Sequence, residues 1–394
     1  MPGKLKNKSI LLGVSGGVAA YKAVELVRRL KDEGASVTVM MTEAAGHFIT
    51  PLSLEVASHN RVYTSLFDEP MAHIDLPAKA DVMVIAPATA NILAKFAHGI
   101  ADDLLSTSLL SYQGRIVLAP SMNWKMYENQ MVQENLRKIK SLDVIQVGPE
   151  KGTLACGEEG LGRLSDIPDI IEAVRAAVTK KDLSGEKIVV TAGPTREYID
   201  PVRFISNRSS GKMGYALARA ARDRGAAVTL ISGPSSLQRP FGLNFVSVDT
   251  SEEMLGAVAT ETGDDTTLLI MSAAVADFRP QERSATKIEK SENMTVKLRK
   301  ADDIISHITC RKKRPFVIGF AAETGSNIDR AGKKMQEKHM DMIVCNDVSE
   351  PGAGFEVDTN RVMIIDRKGT TDTGLQSKDF IADIVLDRFV ENKS

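Results

Sequence analysis

Short apolar runs rich in Val and Ile alternate with longer stretches of helical spacing through most of the chain. This is the pattern of crossover units around a mostly parallel sheet, so the expected class is α/β. In the first half the runs predict strands near residues 9–15, 36–42, 81–86, 115–119 and 143–147, with helices between them and Gly34 and Gly114 as stop signals. The pattern breaks at the polar, turn-forming stretch Thr179-Lys-Lys-Asp-Leu-Ser-Gly-Glu186 and starts afresh at Lys187. Two domains are expected, 1–185 and 186–394. Residues 29–41 and 221–231 echo each other as a helix end, a glycine stop and a second strand, which reads as shared architecture because no fixed period continues beyond them.

Composition narrows the picture. A chain of 394 residues exceeds what one core usually serves. Lys+Arg 50 against Asp+Glu 51 leaves no net field for nucleic acid or an anionic membrane, so small molecules are the expected partners. Runs such as Asp81-Val-Met-Val-Ile-Ala86 are strand-sized, far short of the roughly 20 apolar residues of a membrane span. The basic start runs into a strand without a cleavable apolar segment, so a cytoplasmic location is expected. Cys156, Cys310 and Cys345 have no C-x-x-C spacing, which argues against a disulfide framework or a zinc site.

Candidate chemistry clusters at strand ends. After the first strand, Ser15-Gly16-Gly17 precedes an expected amphipathic helix with Ala20, Val24 and Val27; bare backbone and a hydroxyl there suit a phosphate. The G-x-G-x-x-G spacing is absent and no acid closes the next strand, which disfavours a standard NAD site. Ala86-Pro-Ala-Thr-Ala-Asn-Ile-Leu-Ala-Lys95 ends a strand at the sheet's carboxyl edge, where open α/β sheets bind ligands, and Pro120-Ser-Met-Asn-Trp-Lys-Met126 follows the next strand. Residues 152–163 read as a glycine-rich flap carrying one thiol. Asp102 and Asp103 read as caps of the following helix. In the second half, the turn after Ile188-Val-Val-Thr is stretched into a long polar loop holding Arg196, Arg203, Arg208 and Lys212, a composition suited to anions. Gly211-Lys-Met fails the Walker A pattern.

The first half resembles the flavin-containing cysteine decarboxylases, specifically phosphopantothenoylcysteine decarboxylase. The motifs are Ser15-Gly-Gly-Val-Ala-Ala-Tyr-Lys22, His73-Ile-Asp-Leu76, Pro-Ala-Thr-Ala-Asn, Pro-Ser-Met-Asn and Ala-Cys-Gly-Glu-Glu-Gly-Leu-Gly-Arg. The resemblance implies a flavodoxin-like domain with FMN held by Ser15, Gly16, Gly17, Thr42 and the loop Pro87, Ala88, Thr89, Ala90 and Asn91. It also implies His73 as base, Asn123 as holder of the carboxylate and Cys156 as final proton donor. The chemistry is coherent: a cysteine carboxylate attached to an amide has no electron sink, and flavin oxidation of the CH2–SH carbon creates one.

The second half is similar to phosphopantothenate-cysteine ligase through Asn207-Arg-Ser-Ser-Gly-Lys-Met-Gly214, Ala-Ala-Val-Ala-Asp-Phe-Arg-Pro280, Lys287-Ile-Glu-Lys290 and Gly-Phe-Ala-Ala-Glu-Thr324, and the order of halves matches the fused bacterial family. That similarity implies a Rossmann-like ligase domain that uses CTP to form an acyl-cytidylate, with Mg2+ on the phosphates. Lys334 and Lys338, at i,i+4 spacing, would hold the triphosphate. Met271, Ser272, Ala273, Asp277, Ala301, Asp302, Asp303, Ile304 and Phe320 would contact CTP. Lys287 would stabilise developing charge, Asn207 would bond the acyl intermediate, and Arg203 would lie close by. Two departures stand out: Ala301-Asp-Asp-Ile304 replaces the family's Asn-Pro-Asp-Ile, and Glu289 replaces a lysine. The resemblance also implies a homo-oligomer of decarboxylase trimers and ligase dimers, hence a dodecamer. The competing readings are a flavoprotein acting on another cysteine-terminal substrate, and a non-catalytic regulatory subunit on the same flavin fold.

Overall fold

The computed structural model describes residues 4–153, 157–289, 294–323, 328–347, 352–354 and 356–393. Cys156 therefore lies outside the described residues. The chain divides into two compact units, Met1–Thr179 and Lys180–Ser394.

In chain order the first unit comprises β1 (Ser9–Val14), α1 (Ala23–Asp32), β2 (Ser36–Met41), α2 (Pro51–Ser58), β3 (Val62–Tyr63), α3 (Ala72–Ala78), β4 (Val82–Ala88), α4 (Ala90–His98) and α5 (Leu104–Ser111). It continues with β5 (Ile116–Pro120), α6 (Trp124–Tyr127), α7 (Gln130–Lys140), β6 (Val144–Gln146), β7 (Glu150–Thr153), β8 (Glu159–Arg163) and α8 (Ile167–Val178). The main sheet runs β3-β2-β1-β4-β5-β6 and is parallel throughout. Alternation sets its two faces: Leu11, Met40, Met83 and Ile85 join a core with α4, α5 and α7, while Ile10, Leu12, Val37 and Val39 are buried in register on the other face. Gly34, at φ +91°, turns the chain from α1 into β2 beside the Lys6 backbone.

The sequence predicted one helix after Ser15-Gly16-Gly17. Instead a 3-10 turn (Val18–Lys22) comes first, and α1 starts only at Ala23. The expected flap is an antiparallel hairpin, β7 with β8.

The second unit comprises β9 (Lys187–Ala192), β10 (Arg196–Tyr198), β11 (Phe204–Ser206), α9 (Lys212–Asp223), β12 (Ala227–Ser232), β13 (Asn244–Ser247), α10 (Ser251–Glu261), β14 (Leu268–Met271), β15 (Phe278–Pro280) and β16 (Leu298–Lys300). It ends with α11 (Ile304–Thr309), β17 (Phe316–Glu323), α12 (Ile328–Glu337), β18 (Met342–Asp347), β19 (Thr359–Asn360), β20 (Val362–Asp366), β21 (Gly369–Asp372), β22 (Gln376–Ser377) and α13 (Lys378–Lys393). Its eight-stranded sheet runs β13-β12-β9-β14-β17-β18-β20-β21; β20 and β21 are antiparallel additions at one edge. One face packs on α9 and α13 around Tyr215 and Phe389, the other on α10, α11 and α12 around Met254, Ile308 and Ala331. The polar loop expected after β9 is itself structured, because β10 and β11 pair as a hairpin.

Candidate active sites

In the first unit β1 is flanked by β2 and β4, so the chain order reverses between β1 and β4, and a crevice opens at the carboxyl ends of these two strands. A cavity of about 1050 Å³ occupies it, lined by Gly16, Gly17, Thr42, Thr89, Ala90, Asn91, Lys95, Asp102, Asp103, Asn123 and Arg163 among others. A Cβ on Gly16 would come within 2.4 Å of the Ala44 Cβ, so this wall exists only with glycine. The N-terminus of α4 lies at the same space: Ala90 and Asn91 line the cavity, and the Thr89 cap makes no side-chain bond to the first amides.

Ser15 also lines the cavity, but its hydroxyl is engaged elsewhere. It is 2% exposed, donates to the Pro87 carbonyl at 2.7 Å and accepts the Thr89 N–H at 3.0 Å. Ser15 therefore ties the two switch-point loops together instead of offering a free hydroxyl. Pro87 and Ala88 are buried at the end of β4, outside the cavity lining. Thr42 caps the 3-10 turn Glu43–His47 through the Ala45 N–H.

Asn123 caps α6, its Oδ1 accepting the Lys125 N–H at 2.9 Å. The β7–β8 hairpin closes over this loop: the Met122 N–H donates to the Gly162 carbonyl, and the Glu158 carboxylate accepts from Trp124 Nε1 and Lys125 Nζ. His73 stands apart. It sits half-buried on α3, outside the cavity lining, and its Nδ1 is buried without a hydrogen-bond partner.

The sequence left Lys95 without a role and gave Asp102 and Asp103 a capping one. Asp103 does cap α5, in a capping box with Ser106. Both carboxylates also grip Lys95 Nζ, each at 2.7 Å, on the cavity wall. Burial opposes the charge on Lys95, but its bonds to Asp102 and Asp103 raise the ammonium above the usual lysine range.

The second unit repeats the geometry. Order reverses between β9 and β14, and the loops after them meet: the Ala274 N–H donates to the Gly193 carbonyl and the Thr195 N–H to the Ala274 carbonyl. Asn207, after β11, donates through Nδ2 to the carbonyls of Ala274 and Val275 at 3.3 and 3.0 Å. Met271 ends β14, with Ser272 and Ala273 following; the Ala273 N–H is held by the Thr191 hydroxyl. The Asp277 carbonyl accepts the Ala301 N–H and so closes the β15–β16 hairpin onto the start of α11.

Several of the residues expected to hold CTP also pair with protein. Asp302 meets Arg279 at 3.2 Å, while Asp303 caps α11 and pairs with Lys338 at 2.8 Å. Burial works to raise the Asp303 carboxyl, but the Lys338 ammonium holds it below its ordinary value. Ile304 is buried in the core and Phe320 packs against the opposite core face. Lys334 lies on α12, half-buried, while Lys338 follows that helix's end. Lys287 is exposed on the excursion between β15 and β16. Arg203, expected near the intermediate, makes a bidentate pair with the fully buried Asp200 through Nε at 2.9 Å and Nη2 at 2.6 Å.

Comparison with known proteins fits this division. Residues 1–179 match the family model described as flavoprotein, and residues 183–392 match that of the DNA/pantothenate metabolism flavoprotein C-terminal domain. The coenzyme A biosynthesis bifunctional protein CoaBC of Vibrio cholerae is 43% identical over 97% of this chain and 98% of that protein; the Bacillus subtilis protein of the same name is 44% identical over 93% and 92%. The chain belongs to the CoaBC family. Among solved structures, the C-terminal domain of a CoaBC is 37% identical with a TM-score of 0.47, covering 54% of this chain and 97% of that one. The FMN binding protein AtHal3 is 32% identical with a TM-score of 0.40, covering 43% and 96%. The flavoprotein match comes first along the chain and the C-terminal-domain match second.

Among the described residues no helix is long and apolar enough to cross a membrane, and no group of three His, Cys, Asp or Glu side chains is placed to hold a metal ion. Neither Cys310 nor Cys345 forms a disulfide.

Proposed function

We propose that this chain carries out two consecutive reactions of coenzyme A biosynthesis. The second unit joins 4′-phosphopantothenate to L-cysteine at the expense of CTP, and the first decarboxylates the product to 4′-phosphopantetheine. The observation that carries the reading is that each unit gathers the motifs of one of the two activities at its topological switch point, around a cavity in the first and in the bonded loops after β9, β11 and β14 in the second.

The residues of the first cavity fit FMN. The bare backbone of Gly16 and Gly17 and the α4 amides at Ala90 and Asn91 would hold its phosphate, and Thr42 and Thr89 flank them. When bound, FMN supplies a reversible two-electron oxidant for the cysteine CH2–SH carbon, which gives the departing carboxylate's electrons a sink. Asn123, fixed by its bond to Lys125, would orient that carboxylate, the β7–β8 hairpin would exclude water, and Cys156 would return a proton. His73 does not line its own unit's cavity, so its role as base requires a neighbouring copy. The strongly exposed Leu52, Val56 and Phe67 offer apolar surface for contact between copies, and a trimer is the arrangement this reading expects.

A carboxylate does not acylate an amine unaided, so the ligase step needs an activating nucleotide. Lys334 and Lys338 would meet the triphosphate, with Mg2+ arriving on the phosphates. Asn207 and Lys287 would hold and stabilise the acyl-cytidylate. Purified protein incubated with phosphopantothenate, cysteine, Mg2+ and either CTP or ATP tests the reading. CTP-dependent pyrophosphate followed by CO2 is expected; absence of nucleotide-dependent pyrophosphate overturns the ligase half.

A further inference from the structure

The segment that presents Lys287 is stitched to the β10–β11 hairpin by one buried carboxylate. Asp200 lies in the bend of that hairpin and is fully buried. Its Oδ1 accepts the N–H groups of Val202 and Arg203, each at 2.8 Å. Its Oδ2 accepts Arg203 Nε and Nη2 and, at 3.2 Å, the N–H of Ile288. Arg203 Nη2 in turn donates to the Ile288 carbonyl at 2.7 Å. The Asp200–Arg203 pair thus binds both the N–H and the C=O of Ile288, the residue after Lys287.

Further contacts reinforce the dock. The Ser284 N–H donates to the Ile199 carbonyl at 2.9 Å, and the Arg283 guanidinium lies 4.8 Å from the Tyr198 ring centroid. Burial would raise the Asp200 carboxyl, but the Val202 N–H and the Arg203 guanidinium hold it far below the ordinary carboxylate range. Asp200 has zero exposure while Arg203 keeps an exposed edge, so removing the guanidinium or the backbone donors leaves an uncompensated buried carboxylate. The same hairpin leads directly to Asn207, so one element carries Asn207 and holds the Ile288 peptide.

We infer that Asp200 is a positioning residue for ligation: with Arg203 it clamps the Ile288 peptide and thereby sets Lys287 relative to Asn207 at the switch point between β9 and β14. The inference rests on the reading of Lys287 as the charge-stabilising residue. It is independent of what Arg203 itself touches in substrate.

The test uses full-length protein. Asp200→Asn keeps the volume but removes the charge, and Arg203→Lys keeps a charge but cannot span both Asp200 and the Ile288 carbonyl. Each should lower kcat for ligation at least tenfold, with KM for cysteine changed less than threefold and decarboxylation of supplied phosphopantothenoylcysteine unchanged. Amide hydrogen exchange within 281–289 should accelerate at least tenfold while exchange in the eight-stranded sheet stays as in the native protein. Adding Asp200→Asn to Lys287→Gln should slow ligation no further than Lys287→Gln alone. Native exchange in 281–289, or ligation within twofold of native, in whichever variant folds, overturns the clamp. Native ligation by Lys287→Gln overturns the role of Lys287 itself, and the exchange data then still report on the clamp separately.

Discussion

Asp169 shows how a single side chain gives the first unit a pH dependence. It stands in the first turn of α8, where a helix favours an acid, yet its carboxyl is pushed up to about 6. Burial is the largest cause, and the neighbouring charges of Glu150, Glu172 and Asp166 add to it. A folded-state value above the unfolded one means that the native state binds the extra proton. This contribution to stability is complete below the ordinary value of 3.8 and is lost as pH rises through about 6. The side chain is partly exposed, so solvent screening cuts the free energy to about 1 kcal/mol. Asp169→Asn should therefore gain about 1 kcal/mol relative to the native protein between pH 4 and pH 7.5. Trp124, the chain's one tryptophan, lies in this unit and can follow its urea unfolding at both pH values. An unchanged stability difference at the two pH values would show that the acid cluster does not perturb Asp169.

At the scale of elements, the β7–β8 hairpin depends on two glycines one residue apart. Alternation turns Gly160 and Gly162 to the same face, and that face rests on the loop carrying Asn123. A Cβ on Gly162 would lie 2.1 Å from the Met122 carbonyl oxygen, and one on Gly160 would lie 2.5 Å from the Trp124 side chain. Gly162→Ala must lift the hairpin, at a cost of about 1–3 kcal/mol for overpacking. Decarboxylation should fall at least tenfold and ligation stay within twofold; native decarboxylation in this variant would mean that the hairpin's seat on Asn123 is immaterial. The sequence showed these glycines as a motif but not as a packed surface, because the partner at 122–124 is far away along the chain. Long strands such as those at Ile10, Val37, Val82 and Ile116 were legible from their apolar runs. The hairpins β10–β11 and β15–β16 were not, since three-residue strands carry no readable period. The glycine walls of the first cavity were legible because that motif is local. The Lys95 grip on Asp102 and Asp103, the commitment of Ser15 to Pro87, and the Asp200 clamp 88 residues from Ile288 were not, because folding alone brings those partners together.

At the scale of the whole molecule, the division between units falls after Thr179, before the stretch expected to act as linker has ended. Residues 180–185 belong to the second unit for physical reasons. Leu183 is 1% exposed and joins the core around Ile188 and Ala221. Lys181 Nζ donates to the Asp223 carbonyl at 2.5 Å. The Asp182 carboxylate accepts from Arg224 Nε and Nη2 at 2.8 and 2.9 Å, and Arg224 is 5% exposed. A fragment beginning at residue 186 loses all three contacts. Losing a buried leucine costs about 2–3 kcal/mol, and leaving a buried guanidinium without its bidentate partner costs a further few, less what Asp387 still provides. Set against a total stability of about 5–15 kcal/mol for a domain, the loss should leave residues 186–394 marginal, whereas residues 180–394 should unfold cooperatively at a distinctly higher urea concentration. If the second unit contains the whole ligase, the 180–394 fragment should also release CTP-dependent pyrophosphate with phosphopantothenate and cysteine in the absence of any flavin. Equal urea midpoints for the two fragments would show that residues 180–185 are a linker after all.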